Sequence, residues 1–460
     1  MREQDGVEVE ERSNIKDFTQ GNVSGQLLRF AAPLFLSNLL QIVYNMVDMI
    51  IVGQKLGKVG LSAVSVGGDV SHFLTFLAMG FASAGQVIIS QYIGAGERKK
   101  ISRFVGTMFT FLMGCAVFLS VVCLLLRTPI LRVMNTPAEA FSEALSYSTV
   151  CMVGLVFIYG YNIVSAVLRG MGDSVRPFVF ISLAALLNVA LDLLFVMGWG
   201  MGSRGAALAT VISQAVSFLS CTVYILRHRE RYALTVKRGE FFRIEPEMFS
   251  RLVKLGVPMA IKSAAVQFSK LFVNSWINSY GVVVSAFAGI ANKIASTTNL
   301  FANAFTTAGS SMVGQNIGAE KYDRVKQVIG SVFKITVAIA IVLSLIMACF
   351  PRQIYRCFTA DTEVIELGVT YIPIAVLLFF SSAARSGMSA FINGSGNYRV
   401  NLIMAILDGV VMRIGLALLF ALGLGMRHMG FWLGDALAGY TPFWIGIIFY
   451  LSGKWKKKVV

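Results

Sequence analysis

The chain is a succession of long apolar blocks separated by short polar runs. Twelve blocks lie at about 26–52, 62–90, 104–127, 142–168, 177–198, 205–226, 252–280, 283–312, 328–350, 366–391, 400–423 and 429–451. A helix needs about 20 mostly apolar residues to cross the hydrocarbon core, and each block reaches that length. Several exceed it, which allows tilt or extension beyond the bilayer. Only helices and closed barrels satisfy their backbone in hydrocarbon, and these blocks are too long and too continuous for barrel strands. The pattern predicts an all-α integral membrane protein with twelve transmembrane helices.

The blocks also repeat. SQYIGAGERKK (Ser90 to Lys100) returns as GQNIGAEKYDRVK (Gly314 to Lys326), with Ile93-Gly94-Ala95 matching Ile317-Gly318-Ala319 at an offset of 224. Ala84-Gly85 matches Ala308-Gly309, and Arg169-Gly170-Met171-Gly172 matches Asn393-Gly394-Ser395-Gly396, at the same offset. Pro33 and Pro258 differ by 225. An offset of 224 at three separated places, and 225 at a fourth, predicts two pseudo-symmetric six-helix lobes in parallel, an arrangement used by transporters. The expected organisation is a tail at 1–25, an N-lobe at 26–226, a linker at 227–251, a C-lobe at 252–451 and a basic tail at 452–460. Phe241, Phe242 and Ile244 either dip into the headgroup region or belong to a plain linker.

Composition narrows the class without changing it. Of the residues, 56% are hydrophobic and 14% charged, against about 25% charged in soluble domains. The net charge of +16 does not point to nucleic acid, because no basic-aromatic surface is left over from the spans. Lys and Arg sit mostly in alternate short loops, which by the positive-inside rule places both termini and the middle loop in the cytoplasm. The polar opening, with no signal-peptide pattern, fits a cytoplasmic tail. Six cysteines without a CxxC pair read as buried small side chains. His72, His228 and His428 are scattered, and no HExxH, GxSxG or P-loop is present, so nothing points to an enzyme.

An ionisable group inside a span costs roughly 2.5–3.5 kcal/mol on insertion scales, so such groups are candidates for function. The first half offers Asp48 and Asp192, with Asn188 four residues before Asp192 on the same helix face. A pair of carboxyls with an amide neighbour in a low-dielectric site can exchange protons, or swap a proton for a cation. Otherwise, the two face water near an interface. The second half has Val273, Met412 and Leu416 at the equivalent positions, and carries Lys262, Lys270, Lys293, Arg385, Asp408 and Arg413 instead. Asp408 and Arg413 are five apart and can pair within the bundle. The basic groups either pair within the lobe, snorkel, or touch substrate. Asp69 and Asp435, nearer span ends, read as interfacial charges. Pro33 in the first span is either a hinge that responds to Asp48 or a static proline at the helix start.

PLFLSNLLQIVYNMVDMIIVG, SQYIGAGERKK and RGMGDSVRPFVFISLAALLNVALD resemble the first span, the loop after the second span and the span-four-to-five hairpin of the multidrug and toxic compound extrusion (MATE) family. The resemblance runs from about residue 20 to 450. It implies two lobes around a cleft that opens alternately to each side, and an N-lobe coupling site at Asp48, Asn188, Asp192 and Thr210. It extends that pocket to Tyr161 and Asn162. Sodium-driven relatives carry a glutamate in span seven about nine residues after its proline. Here that position is about Gln267, with Lys270 close by, which shifts the expectation to a proton or sodium site in the N-lobe.

The expected function is an antiporter in the cell inner (plasma) membrane, working as a monomer. It would export cationic or amphipathic small molecules in exchange for protons or sodium, with no other cofactor. Gln267, Lys270, Asp408 and Arg413 are the C-lobe candidates for substrate contact. The alternative is a lipid-linked saccharide flippase of the same superfamily, for which the C-lobe cations would hold a pyrophosphate.

Overall fold

The computed structural model describes residues 14–234 and 242–456. The parts of the tails at 1–13 and 457–460, and the linker stretch 235–241 with Phe241, lie outside the described residues.

The helical run Val23–Gly94 breaks at Gly57, whose φ of 59° suits a residue without Cβ. It yields α1 (23–56) and α2 (58–94). There follow α3 (Arg98–Leu125), α4 (Phe141–Gly170), α5 (Val175–Gly198) and α6 (Gly202–Arg227). The second half repeats the series as α7 (Pro246–Asn278), α8 (Val282–Gly318), α9 (Tyr322–Cys349), α10 (Thr362–Gly394), α11 (Tyr398–Gly423) and α12 (427–451). α12 is two pieces, Arg427–Ala438 and Thr441–Leu451, with Pro442 at the restart. Large apolar side chains such as Phe118, Leu186 and Ile448 are more than 60% exposed on the outer faces, which is tolerable in lipid and a liability in water.

The repeat holds at the level of single backbone groups. Glu97 N–H donates to Tyr92 O, and Lys321 N–H donates to Asn316 O, closing the same turn in each half. Gly281, with φ of 106°, breaks the chain 224 residues after Gly57. A Cβ on Gly170 would come within 2.9 Å of the Gln86 carbonyl oxygen, and one on Gly394 within 2.7 Å of the Ser310 carbonyl oxygen. Both contacts are offset by 224, so the close approach of α4 to α2 is copied in α10 and α8.

Two compact units result, neither continuous in sequence. The first comprises residues up to Asp17 and Ala32–Gly256; the second comprises Phe18–Ala31 and Val257–Val460. The opening turns of α1 therefore belong to the second unit, and those of α7 to the first. In the second unit, Gln315 Oε1 accepts from Phe18 N–H at 2.8 Å, and the Arg324 guanidinium donates to the carbonyls of Phe18, Gln20 and Gly21. In the first unit, Glu245 N–H donates to Thr107 Oγ1 at 3.2 Å and Phe249 packs edge-on against Phe111. Phe242 and Ile244 are exposed, with the Phe242 ring against Phe109 of α3. Pro33 and Pro258 each stand within two residues of where their helix passes from one unit to the other. Both prolines lie inside continuous helix here.

Near the start of α8, the second unit is held by an aromatic box. Phe287 of α8 packs edge-on against Tyr355, Tyr371 and Trp432, at 5.3–5.5 Å between ring centres. Such pairs contribute about 0.5–1.5 kcal/mol each beyond their burial. Cys123, Cys151 and Cys221 are buried as expected, but Cys349 and Cys357 are exposed, because both lie where α9 runs out into the short helix Pro351–Arg356.

A methyl added at the shared close approach should be felt in both halves. Gly170→Ala and Gly394→Ala are each expected to destabilise by about 1–3 kcal/mol through overpacking. Gly330→Ala, where an added Cβ meets nothing within 4 Å, should be neutral or stabilise by up to about 1 kcal/mol. Thermal unfolding of the purified protein in detergent checks the order.

Candidate functional site

In the first unit, four helices converge on two carboxyls. α1 supplies Tyr44 and Asp48, four apart on one face; α4 supplies Tyr147; α5 supplies Asn188 and Asp192; α6 supplies Thr210, Ser213 and Gln214. Asp48 is 7% exposed and Asp192 fully buried. The two lie within electrostatic reach of each other, and no basic side chain interacts with either among the described residues. Both oxygens of Asp192, Oδ1 of Asp48, Oδ1 of Asn188 and Oγ of Ser213 are buried without a hydrogen-bond partner among the described residues.

The surroundings fix this arrangement. Asn188 Nδ2 donates to Thr210 Oγ1 at 3.5 Å, tying α5 to α6. Tyr44 pairs with Gln214, and Tyr147, within reach of both carboxyls, pairs with Cys151. Ile51, Val52, Val64, Val196, Ala206 and Ala207 pack around Tyr147 and Cys151 and keep the region dry. Tyr44, Asn188, Thr210, Ser213 and Gln214 line a cavity with about 10 Å³ open to water-sized occupants, together with α5 residues Ile181, Ala184 and Ala185. That is the space of about one water or one bare cation. Neither Asp48 nor Asp192 lines that cavity; their carboxyls are oxygen donors with unused capacity, chemistry that suits a proton or a hard monovalent cation.

Tyr161 and Asn162 stand apart from the carboxyls. Tyr161 Oη donates to the Pro177 carbonyl at 3.2 Å, and Asn162 Nδ2 donates back to Ile158 O of its own helix at 2.8 Å. Sequence reasoning missed Tyr44, Tyr147, Ser213 and Gln214. The signal for two of them was available: Tyr44 precedes Asp48 by one turn, and Gln214 follows Thr210 by one turn.

The second unit builds an ionic cluster at a different place. Arg413, 3% exposed, donates through Nη2 to Asp408 Oδ1 at 3.3 Å and through Nη1 to Asp435 Oδ1. Asp435 is thus a partner of a buried guanidinium, a correction to its reading as an interfacial charge; it lies in the first piece of α12, Arg427–Ala438, on the helix that faces Arg413 of α11. α11 takes on an extra-wide turn at Leu407–Val411, which contains Asp408, and Ser269 Oγ of α7 donates to the Gly409 carbonyl there. Wide turns of this kind are rare and re-aim side chains. Lys262, Lys270 and Arg385 surround the triad within electrostatic reach. Gln267 is exposed on α7 and Lys293 exposed on α8, outside that cluster.

Comparisons with known proteins agree with the two-half repeat. The MatE family model matches residues 33–194 and again 258–419, so the matches begin on Pro33 and Pro258. The probable multidrug resistance protein YpnP of Bacillus subtilis is 27% identical over 440 residues, covering 96% of this chain and 97% of that protein. The probable multidrug resistance protein YoeA of the same organism is 29% identical over 437 residues, covering 94% of each. A crystal structure of MATE in the straight conformation matches with a TM-score of 0.87 at 22% identity, covering 95% of this chain and 97% of that one. At that identity the likeness shows the fold alone.

Removing the guanidinium would leave a buried carboxylate, Asp408, and a half-buried one, Asp435, without their partner. Arg413→Leu is expected to destabilise by about 3–5 kcal/mol. Adding Asp408→Asn should recover part of the loss, and unfolding midpoints of the single and double variants check it.

Proposed function

Because the chain belongs to the MatE family, a family of multi-pass membrane transporters of small molecules, we propose that it is a secondary active antiporter. It exports cationic or amphipathic organic compounds in exchange for protons or sodium, by alternating access. It works as a monomer in the cell inner membrane, with both termini in the cytoplasm, as the distribution of Lys and Arg supports.

One observation carries this reading: Asp48 and Asp192 are buried within reach of each other with carboxyl oxygens unpartnered. Two carboxyls in a dry site have every reason to hold a proton or a metal cation and to give it up when another positive charge arrives. An organic cation and the coupling ion then compete for the same negative charge. Their binding is mutually antagonistic, which is the coupling that antiport requires. Asn188 and Thr210 position the amide beside the pair, and Tyr147 closes it off from α4. The abundance of Phe (34) and Met (20) supplies adaptable apolar contact for varied cargo. A lipid-linked saccharide flippase would draw on the cations of the second unit, but Arg413 is already committed to two carboxylates.

Ethidium efflux from inside-out vesicles, under an imposed pH gradient or an imposed sodium gradient, tests the proposal. The wild type is expected to respond to one gradient, and Asp48→Asn and Asp192→Asn to fall to the level of empty vesicles at equal expression. Wild-type rates in Asp48→Asn would sink the role given to the carboxyls.

A further inference from the structure

Among the described residues of the second unit, the inner cations outnumber the carboxylates that they meet. Its buried cluster contains four cations, Lys262, Lys270, Arg385 and Arg413, and two carboxylates, Asp408 and Asp435. Both carboxylates are bound to Arg413. Lys262 Nζ points to the Met404 thioether at 3.4 Å, and Arg385 Nη2 donates to the neutral Asn299 amide at 2.7 Å. Among the described residues, none of Lys262, Lys270 and Arg385 forms a salt bridge. All three are half-buried, and Lys262 stands sixteen residues into α7, about 24 Å from its start at 1.5 Å per residue. Charges at such depth face a bundle interior or a water-filled cavity, not lipid. The residues at the equivalent positions of the first half are Ser37, Asn45 and Tyr161, so the cations are no legacy of the repeat. Nor has the first half a counterpart of the wide turn at Leu407–Val411, which places Asp408 to hold Arg413.

We infer that Lys262, Lys270 and Arg385 form a binding site for an oxyanion, the carboxylate or phosphate group of an organic anion. Arg413, fixed by its two carboxylates, is the wall of the site and not its ligand. The cargo of this transporter therefore extends to organic anions and zwitterions. This goes beyond the proposed cation export and does not depend on the carboxyls of the first unit.

Equilibrium binding of carboxyfluorescein to the purified protein in nanodiscs of phosphatidylcholine tests the site, read by fluorescence anisotropy. The wild type is expected to bind, Arg385→Gln and Lys262→Gln to bind at least tenfold more weakly, and Lys262→Arg to recover affinity. Arg385→Gln and Lys262→Gln should unfold within a few degrees of the wild type, which a general loss of structure would not allow. Displacement of the dye by phosphatidylglycerol in the disc supports the site with a lipid headgroup as its occupant. No binding by a wild type that still exports ethidium overturns the inference and leaves the antiporter standing. Dye binding without gradient-driven ethidium efflux does the reverse. If the Gln variants do not fold, wild-type binding and the Lys262→Arg comparison still decide.

Discussion

Nothing at membrane depth can borrow a hydrogen bond or a counter-charge from bulk water. Every other feature of the structure follows from that constraint. The backbone answers with twelve helices. Short side chains let those helices pass closely, as at Gly170 against Gln86 and Gly394 against Ser310. Each polar side chain that remains inside must be paired or be kept for a purpose. The two units handle this differently. The first leaves Asp48 and Asp192 without counter-charge, and the second ties Asp408 and Asp435 to Arg413.

One scaffold thus presents opposite charge in its two halves. The loop after α2 and the loop after α8 close with the same backbone bonds, and the chain breaks with positive φ at Gly57 and Gly281. Backbone geometry has been kept while the buried side chains diverged. An acidic pocket lies in one unit and cations that form no salt bridge among the described residues lie in the other. The opening turns of α1 and α7 belong to opposite units, and Pro33 and Pro258 sit where each helix changes allegiance. A residue that cannot donate a backbone bond weakens the helix at that point.

Much of this was legible from the chain. Twelve apolar blocks and a single offset of 224 suffice for the fold, because a lipid-facing helix has to be apolar along its length. Asp48 and the Asn188–Asp192 pair stood out because charge inside a span is expensive. Tyr147 and Ser213 did not, since aromatic and hydroxyl side chains are unremarkable in helices and only packing shows whom they meet. Asp435 was misread because it lies near the end of an apolar block, and hydropathy does not show that Arg413 of the neighbouring helix meets it. The reciprocal exchange of residues 18–31 and 246–256 leaves no mark in hydropathy, because docking of a helix start depends on tertiary contacts such as Arg324 with the Phe18 and Gln20 carbonyls.

The central claim is that cargo and coupling ion compete for the carboxyls of the first unit. Its most direct test is to bind ethidium to purified protein in weakly buffered solution. Proton release is followed with an indicator dye, and displacement of radioactive sodium in parallel. One of the two ions is expected to leave as ethidium binds, and that release should vanish in Asp192→Asn. Ethidium binding that displaces neither ion would contradict the account.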